Sequence, residues 1–195
     1  LEDEVRDLLA NHLNQRMYGD GVEWELRVTR PWTPITVPDE PLSVEIVEPA
    51  IDRISSSAIL RFELRAGREL VGSWQLPVQA RLWREVLVAH AAHTRGLPLA
   101  DASFVRERRD VLTLRNPICE LPANAGAYEL AETVPAGTVL TARAVRLRPV
   151  VLRGQTADAI LQDGAMMVSI KVEVLESGVP GQMIRVRNTQ SRREF

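Results

Sequence analysis

The chain has 195 residues, of which 45% are hydrophobic and 26% charged, and its formal net charge is −2. This composition is typical of a globular chain with a sizeable core and excludes a disordered one. The near-neutral charge predicts no attraction to nucleic acid or anionic membranes, and no apolar run of about 18 residues predicts a membrane-spanning helix.

The first segment of the chain predicts an amphipathic α-helix. Apolar residues recur at helical spacing on one face, at Val5, Leu8, Leu9, Leu13 and Met17. The acidic residues at positions 2–4 suit the positive end of a helix, and Arg16 suits its negative end. Gly19 and Gly21 are expected to end it.

After Gly21 the pattern changes to alternation and predicts strands at residues 22–29, 42–46 and 60–65. A connection with four prolines, Pro31, Pro34, Pro38 and Pro41, separates the first two. Ala66 and Gly67 predict a hairpin turn into a strand that begins near Leu70. Because Pro77 interrupts the extended segment 70–88, this segment is either two strands or one bent strand. The expected first module is a helix on an antiparallel sheet.

The second half of the chain contains an internal repeat at a shift of 41 residues, which places residues 93–100 on 134–141. Each copy has a short apolar strand, a turn that ends in glycine, and a leucine three residues later. The glycines are Gly96 and Gly137, and the leucines are Leu99 and Leu140. Glycine tolerates positive φ in such a turn, and each leucine is expected to reach the core.

The tail predicts a β-hairpin. Apolar residues alternate with mostly polar ones at Met166, Val168, Ile170, Val172 and Val174. A turn at 176–181 leads into a second alternating run with Ile184 and Val186. No closing strand is evident after Asn188, so either a strand edge is exposed or the native chain continues.

No residue constellation in the sequence predicts catalysis, a cofactor or a metal site. His90 and His93 lie at a strand end, where residues three apart face opposite sides, and no third ligand is indicated. Residues 55–57 are consecutive serines without the glycine-flanked turn of a hydrolase nucleophile. Cys119 is the single cysteine, which excludes an intrachain disulfide and fits a reducing compartment or a cysteine-poor periplasmic protein. We therefore expect a non-enzymatic protein.

Arginine dominates the basic residues, since Lys171 is the only lysine. A GC-rich genome explains this bias, and so does an interface at which planar guanidinium groups pair with carboxylates. The charge run at residues 106–110 is either a solvated face or a contact patch.

Several segments, in this order, resemble the bacterial flagellar basal-body P-ring formation proteins. They are residues 74–78, 86–89, 95–99, 106–111, 134–141, 149–156 and 180–188. The most specific pieces are Arg153-Gly154-Gln155 and the Gly-Gln…Arg-Val-Arg-Asn pattern at 181–188. The resemblance covers about residues 70–195.

The patterns and the resemblance together predict a mostly β (α+β) fold with three modules. The N-terminal helix-plus-antiparallel-sheet module at 1–84 follows from the patterns, and the resemblance is compatible with it. The resemblance implies a SAF (β-clip) domain at 85–149, followed by a C-terminal β-hairpin or barrel module at 150–195, incomplete at its end. It implies a periplasmic chaperone that binds the P-ring subunit and assists its assembly around the rod, without a cofactor. Export would explain why the sequence begins without Met or a leader, although trimming would also do so.

The predicted partner contacts are arginines and strand edges. The arginines are Arg185, Arg187, Arg106 and Arg109. Unpaired strand edges near 166–174 and 184–187 are expected to accept an edge of the client, with Arg185 and Arg187 facing outward.

Two alternatives remain open at this point. SAF domains also occur in pilus-assembly proteins, which would make the chain an interaction module of another secretion machine. They occur as well in sugar-acid enzymes, which require metal or base residues in a catalytic domain. Flagellar rod and ring genes next to this gene would favour the first interpretation, and pilus ATPase genes the second.

Overall fold

The structure, a computed structural model, describes residues 2–16, 21–30, 35–164 and 166–195. These ranges form one α-helix and ten β-strands, so the predicted mostly β class is confirmed. The elements are α1 Glu2–Arg16, β1 Glu23–Val28, β2 Leu42–Glu48, β3 Ser57–Ala66, β4 Glu69–Ala89, β5 Phe104–Asp110, β6 Tyr128–Leu130, β7 Val145–Leu147, β8 Thr156–Asp163, β9 Met166–Val174 and β10 Val186–Asn188. Predictions that involve Met17, Gly19, Pro31 and Pro34 lie outside the described residues.

The chain forms two compact units whose segments alternate along the sequence. Unit 1 contains Leu1–Ala92, Ser103–Leu121 and Pro135–Ala142. Unit 2 contains His93–Ala102, Pro122–Val134 and Arg143–Phe195. The division into modules at 1–84, 85–149 and 150–195 stays a prediction, although β4 continues without a break through residues 84 and 85.

Helix α1 buries the apolar face that its sequence predicts. Val5, Leu9 and Leu13 are at most 1% exposed, and they join the hydrophobic core of unit 1. The side chain of Asn14 accepts a hydrogen bond of 2.8 Å from the backbone N–H of Trp24. This bond holds the end of the helix against β1, where Trp24 is itself buried.

The sheet of unit 1 is antiparallel, with the order β1-β4-β3-β2, and β5 pairs with the last part of β4. Alternation along the strands directs one set of side chains into the core. Leu60, Phe62 and Leu64 on β3 have no exposed surface. Gly67 has φ +57 in the turn between β3 and β4, which confirms the predicted hairpin.

Strand β4 is one continuous strand of 21 residues, so the alternative of two strands is wrong. Pro77 cannot donate a backbone hydrogen bond. It pairs with Ile59 of β3, and its carbonyl accepts a 3.0 Å bond from the N–H of Thr29, just beyond the end of β1. Because its missing donor falls where β1 ends, the proline does not interrupt the ladder.

The 41-residue repeat is present in the backbone hydrogen bonds. Gly96 donates to the carbonyl of Leu130 at 2.8 Å, and its counterpart Gly137 donates to Ala89 at 2.8 Å. The N–H of Leu130 donates to the carbonyl of Leu97, and its counterpart Ala89 donates to Thr138. In the same way, the N–H of His90 donates to Ser103, and its counterpart Ala131 donates to Ala144. Each copy's turn therefore pairs with the strand that begins the other copy, which is why the segments of the two units alternate along the chain.

The glycine and the leucine that the two copies of the repeat share have the same conformation and burial in both copies. Gly96 and Gly137 adopt φ +84 and +75, conformations that favour glycine. Leu99 and Leu140 are completely buried, so the prediction that they reach the core is confirmed.

The Gly-Gln motifs form two tight turns of the same kind in unit 2. Gly154 has φ +84, the N–H of Gln155 donates to the carbonyl of Leu152, and the Gln155 side chain accepts the N–H of Leu152. The second turn repeats these contacts with Val179, Gly181 and Gln182. Each glutamine thus closes its turn with one backbone and one side-chain hydrogen bond, which explains why glycine and glutamine occur together in both turns.

The C-terminal sheet of unit 2 has the order β10-β9-β8. Strand β8 was not predicted. All of its residues, 156–163, pair with residues 166–173 of β9, so β8 and β9 form a hairpin. Strand β10 pairs only with Val172–Val174, and Thr189 bonds to Lys171, so the expected free edge is wrong for residues 171–174 of β9. Residues 166–170 have no described strand on the side of β9 away from β8, so the expected edge is confirmed there. The edge expected at 184–187 is also wrong, since Val186 exchanges two 3.0 Å hydrogen bonds with Phe195 on its other side.

Candidate partner-binding surfaces

Arg185, the most exposed of the four predicted arginines, lies just before β10. Its side chain is 71% exposed, and its Nε donates to Oε1 of Glu176 at 2.8 Å. The same oxygen accepts the backbone N–H of Arg185 at 3.0 Å. The hydrogen bond from Arg185 lowers the pKa of Glu176, and the return effect raises the pKa of Arg185. Both groups therefore stay charged at neutral pH.

Arg187 is less available than the sequence predicts. Its side chain is 34% exposed and lies between two carboxylates, at 2.7 Å from Glu194 and 3.6 Å from Glu173. The hydrogen bond with Glu194 raises the pKa of Arg187. Arg187 therefore also links β10 to the carboxyl-terminal residues that cover it.

Arg106 and Arg109 lie on β5 in unit 1, with side chains 60% and 48% exposed. Arg106 is 3.8 Å from Glu85 and 4.0 Å from Glu120, whereas Arg109 is 2.5 Å from Glu107. Residues three apart on a strand face opposite sides of the sheet. The structure therefore does not bring these two arginines together into one patch.

A cluster around Trp83 on unit 1 was missed by sequence reasoning. The guanidinium groups of Arg81 and Arg108 lie 6.0 and 5.8 Å from the centre of the Trp83 ring. The ring N–H donates to Glu25 at 2.8 Å, and Arg108 pairs with Glu23. The sequence shows alternating charges on each strand, but it does not show the register in which β1 and β5 pair with β4.

The best-buried ion pair in unit 2 joins neighbouring residues of β6 and β7. Glu129 is 7% exposed and accepts bonds from Nε and Nη2 of Arg146 at 2.9 and 2.6 Å. The pair lines a cavity of about 570 Å³ together with Gly96 and Ser177. Because a buried carboxylate needs a partner, Arg146 is assigned a structural role.

Replacing Arg146 with alanine is expected to lower the free energy of unfolding by about 1–3 kcal/mol, since it leaves the Glu129 carboxylate buried and unpaired. Urea denaturation measures this change. The matched control is Arg143→Ala, whose side chain is 83% exposed and pairs with the partly exposed Glu132. Surface pairs contribute about 0–1 kcal/mol, so equal losses in both variants would contradict the structural role of Arg146.

No three His, Cys, Asp or Glu side chains gather as metal ligands within the described ranges. Cys119 is a free, partly buried thiol. In the same part of the chain, no helix has the length and apolar character needed to cross a membrane.

A family model described as "Chaperone for flagella basal body P-ring formation" matches residues 84–195 of the chain. This range includes the repeat, the C-terminal sheet and all four predicted arginines. No curated protein sequence matches the chain.

Two solved structures resemble the whole fold. Salmonella FlgA in its open form has a TM-score of 0.62 and 17% identity, and the match covers 98% of this chain and 86% of that one. The flagellar protein FlgA from Thermotoga maritima has a TM-score of 0.60 and 22% identity, with coverage of 100% and 67%. At these identities, the two structures show that the fold is shared.

Proposed function

The chain belongs to the family of chaperones for flagella basal body P-ring formation, and from this premise we propose that it binds the P-ring protein directly in the periplasm. The observation that carries the proposal is the family match over residues 84–195, more than half of the chain. The match favours the flagellar role over the pilus-assembly alternative. In this proposal the chain acts by binding alone, without catalysis or a cofactor.

The proposed contacts include the four arginines predicted from the sequence. Each has a carboxylate partner within its own unit, and Arg185 and Arg106 remain mostly exposed. Exposed ion pairs contribute about 0–1 kcal/mol, so an arginine can exchange its own carboxylate for one on the client at little cost. The planar guanidinium then forms a charge-assisted, directional bond with the client.

The double substitution Arg185→Glu and Arg187→Glu is expected to weaken binding of the P-ring protein about tenfold, because it replaces two donors by two acceptors. Isothermal titration with the purified P-ring protein measures the affinity, and co-purification from cells gives the same comparison.

The matched control is Arg68→Glu with Arg143→Glu, which changes the net charge equally at exposed positions outside the C-terminal sheet. Wild-type affinity in the 185/187 variant would remove these two arginines from the interface. An equal loss in the control would show that net charge, not position, determines binding.

A further inference from the structure

The β8–β9 hairpin carries an apolar sheet face that begins in the core of unit 2 and continues out of it. Val172 and Val174 at the inner end of β9 are 2% and 1% exposed. On the same face, Val168 and Met166 are 45% and 58% exposed, and Leu161, the neighbour of Val168 on β8, is 66% exposed. The described residues of unit 2 therefore leave the outer half of this face uncovered.

The opposite face of the hairpin is also apolar at its outer end. Ile160 and Met167 are 63% and 64% exposed. Single exposed apolar residues are ordinary on protein surfaces, but a contiguous group of large ones indicates an interaction site. Here the group consists of Leu161, Met166 and Val168 on one face of the hairpin, with Ile160 and Met167 on the opposite face.

Strand β8 is an outer strand, and β9 is its one partner in the described sheet. Val174 bonds to both Gly154 and Gln155, so even-numbered residues of β9 direct their backbone groups towards β8. By alternation of the ladder, Asp158, Ile160 and Gln162 direct their N–H and C=O groups towards the outer edge. This edge is available for a further strand.

The outer edge lacks most of the features by which proteins prevent strand addition. Strand β8 contains no lysine, arginine or proline, and its pairing with β9 has no register shift. Such features normally protect exposed edges from pairing with another chain. Their absence here indicates an edge that accepts a strand.

The charges along β8 restrict what can bind. Asp158 is paired with Lys171 at 3.4 Å, whereas Asp163 has no ion-pair partner among the described residues. An acidic edge attracts a segment that carries a basic residue and opposes an anionic lipid surface. A second copy of β8 would bring four aspartates onto one ladder, which is unfavourable.

We propose that the outer edge of β8 receives an extended segment of the P-ring protein as an added strand. The segment alternates apolar and polar residues, so that its apolar side covers the face at Leu161 and Val168, and it carries a basic residue near Asp163. This inference rests on the proposed function and adds the site and the mode of binding.

Substituting Ile160 with lysine tests the edge, because it places a charge on the strand without changing a buried position. The affinity for the purified P-ring protein is expected to fall at least about tenfold, and Asp163→Lys is expected to weaken it several-fold. The matched control is Ile59→Lys on β3, since Ile59 is 61% exposed and lies in unit 1. The control is expected to bind like the wild type.

Amide hydrogen exchange by NMR tests the mode of binding and does not depend on a variant. On addition of the P-ring protein, exchange at Asp158, Ile160 and Gln162 is expected to slow, because their N–H groups acquire acceptors. Ala157 and Ala159 direct their N–H groups towards β9 and serve as internal controls. Docking through side chains alone would leave the three outer amides unchanged and would overturn the inference.

The other outcomes distinguish the inference from the proposed function. If the wild-type chain does not bind the P-ring protein, both fail. If it binds but neither Ile160→Lys nor exchange changes anything, the inference alone fails. It is also overturned if Ile160→Lys converts a dimer to a monomer in sedimentation, which assigns the edge to a second copy. The same holds if it abolishes binding to phosphatidylcholine vesicles, which assigns the hairpin to a lipid surface.

Discussion

Replacing Phe62 with alanine is expected to lower the free energy of unfolding of unit 1 by about 3–5 kcal/mol. Phe62 is completely buried on β3, and its ring centre lies 6.2 Å from that of Trp74. Removal of the ring loses its transfer free energy and leaves a cavity in the core against which α1 packs. Urea denaturation followed by tryptophan fluorescence measures the change.

A control on the same strand separates burial from strand propensity. Ile59 is 61% exposed on β3, so Ile59→Ala is expected to cost no more than about 1 kcal/mol. Similar losses for both variants would contradict the assignment of Phe62 to the core.

Replacing Leu140 with alanine is expected to cost about 2–5 kcal/mol, and Leu99→Ala is expected to cost a similar amount. Both leucines are 0% exposed and occupy equivalent positions of the repeat, one in unit 1 and the other in unit 2. Thermal denaturation of the two variants measures the losses.

Thr138→Ala is the control for Leu140, because Thr138 is exposed in the adjacent turn. Because this side chain is exposed, a change within about 0.5 kcal/mol is expected. If either leucine variant were as stable as this control, that leucine would not stabilise the core of its unit, which would contradict its equivalent role in the two copies.

The four predicted arginines and the outer edge of β8 differ in whether they have partners within the protein. The arginines were visible as residues, but the structure shows that each one already has a carboxylate partner and that Arg187 is partly covered. The outer edge of β8 has the opposite property, since its backbone groups and its large apolar side chains lack partners within the described unit 2.

The elements that the sequence predicted well depend on local patterns. The helical spacing of Val5, Leu9 and Leu13 predicts α1 because residues four apart share one face of a helix. Period-two alternation predicts β1 to β3, and Gly67 predicts the hairpin turn between β3 and β4. The repeat was also predicted, because both copies share the order of strand, glycine turn and leucine, and Gly96 and Gly137 have the positive φ expected of such a turn.

Strand β8 was missed because its local signal is weak. Ala157 and Ala159 are too small to mark an apolar face, and two adjacent apolar residues, Ile160 and Leu161, break the alternation. Since β8 was missed, the sequence placed a free edge along all of β9, whereas β8 pairs with one side of this strand and β10 pairs with the other side at residues 172–174.

By itself, the sequence determined the mostly β class, the helix, the repeat and, through the order of its motifs, the family. These depend on neighbouring residues and on their order along the chain. Only the tertiary structure decided which strand is outermost, which carboxylate pairs with each arginine and which part of the apolar face is exposed to solvent. The physical reason is that alternation shows that a strand has an apolar face, whereas pairing and burial depend on residues far away in the sequence.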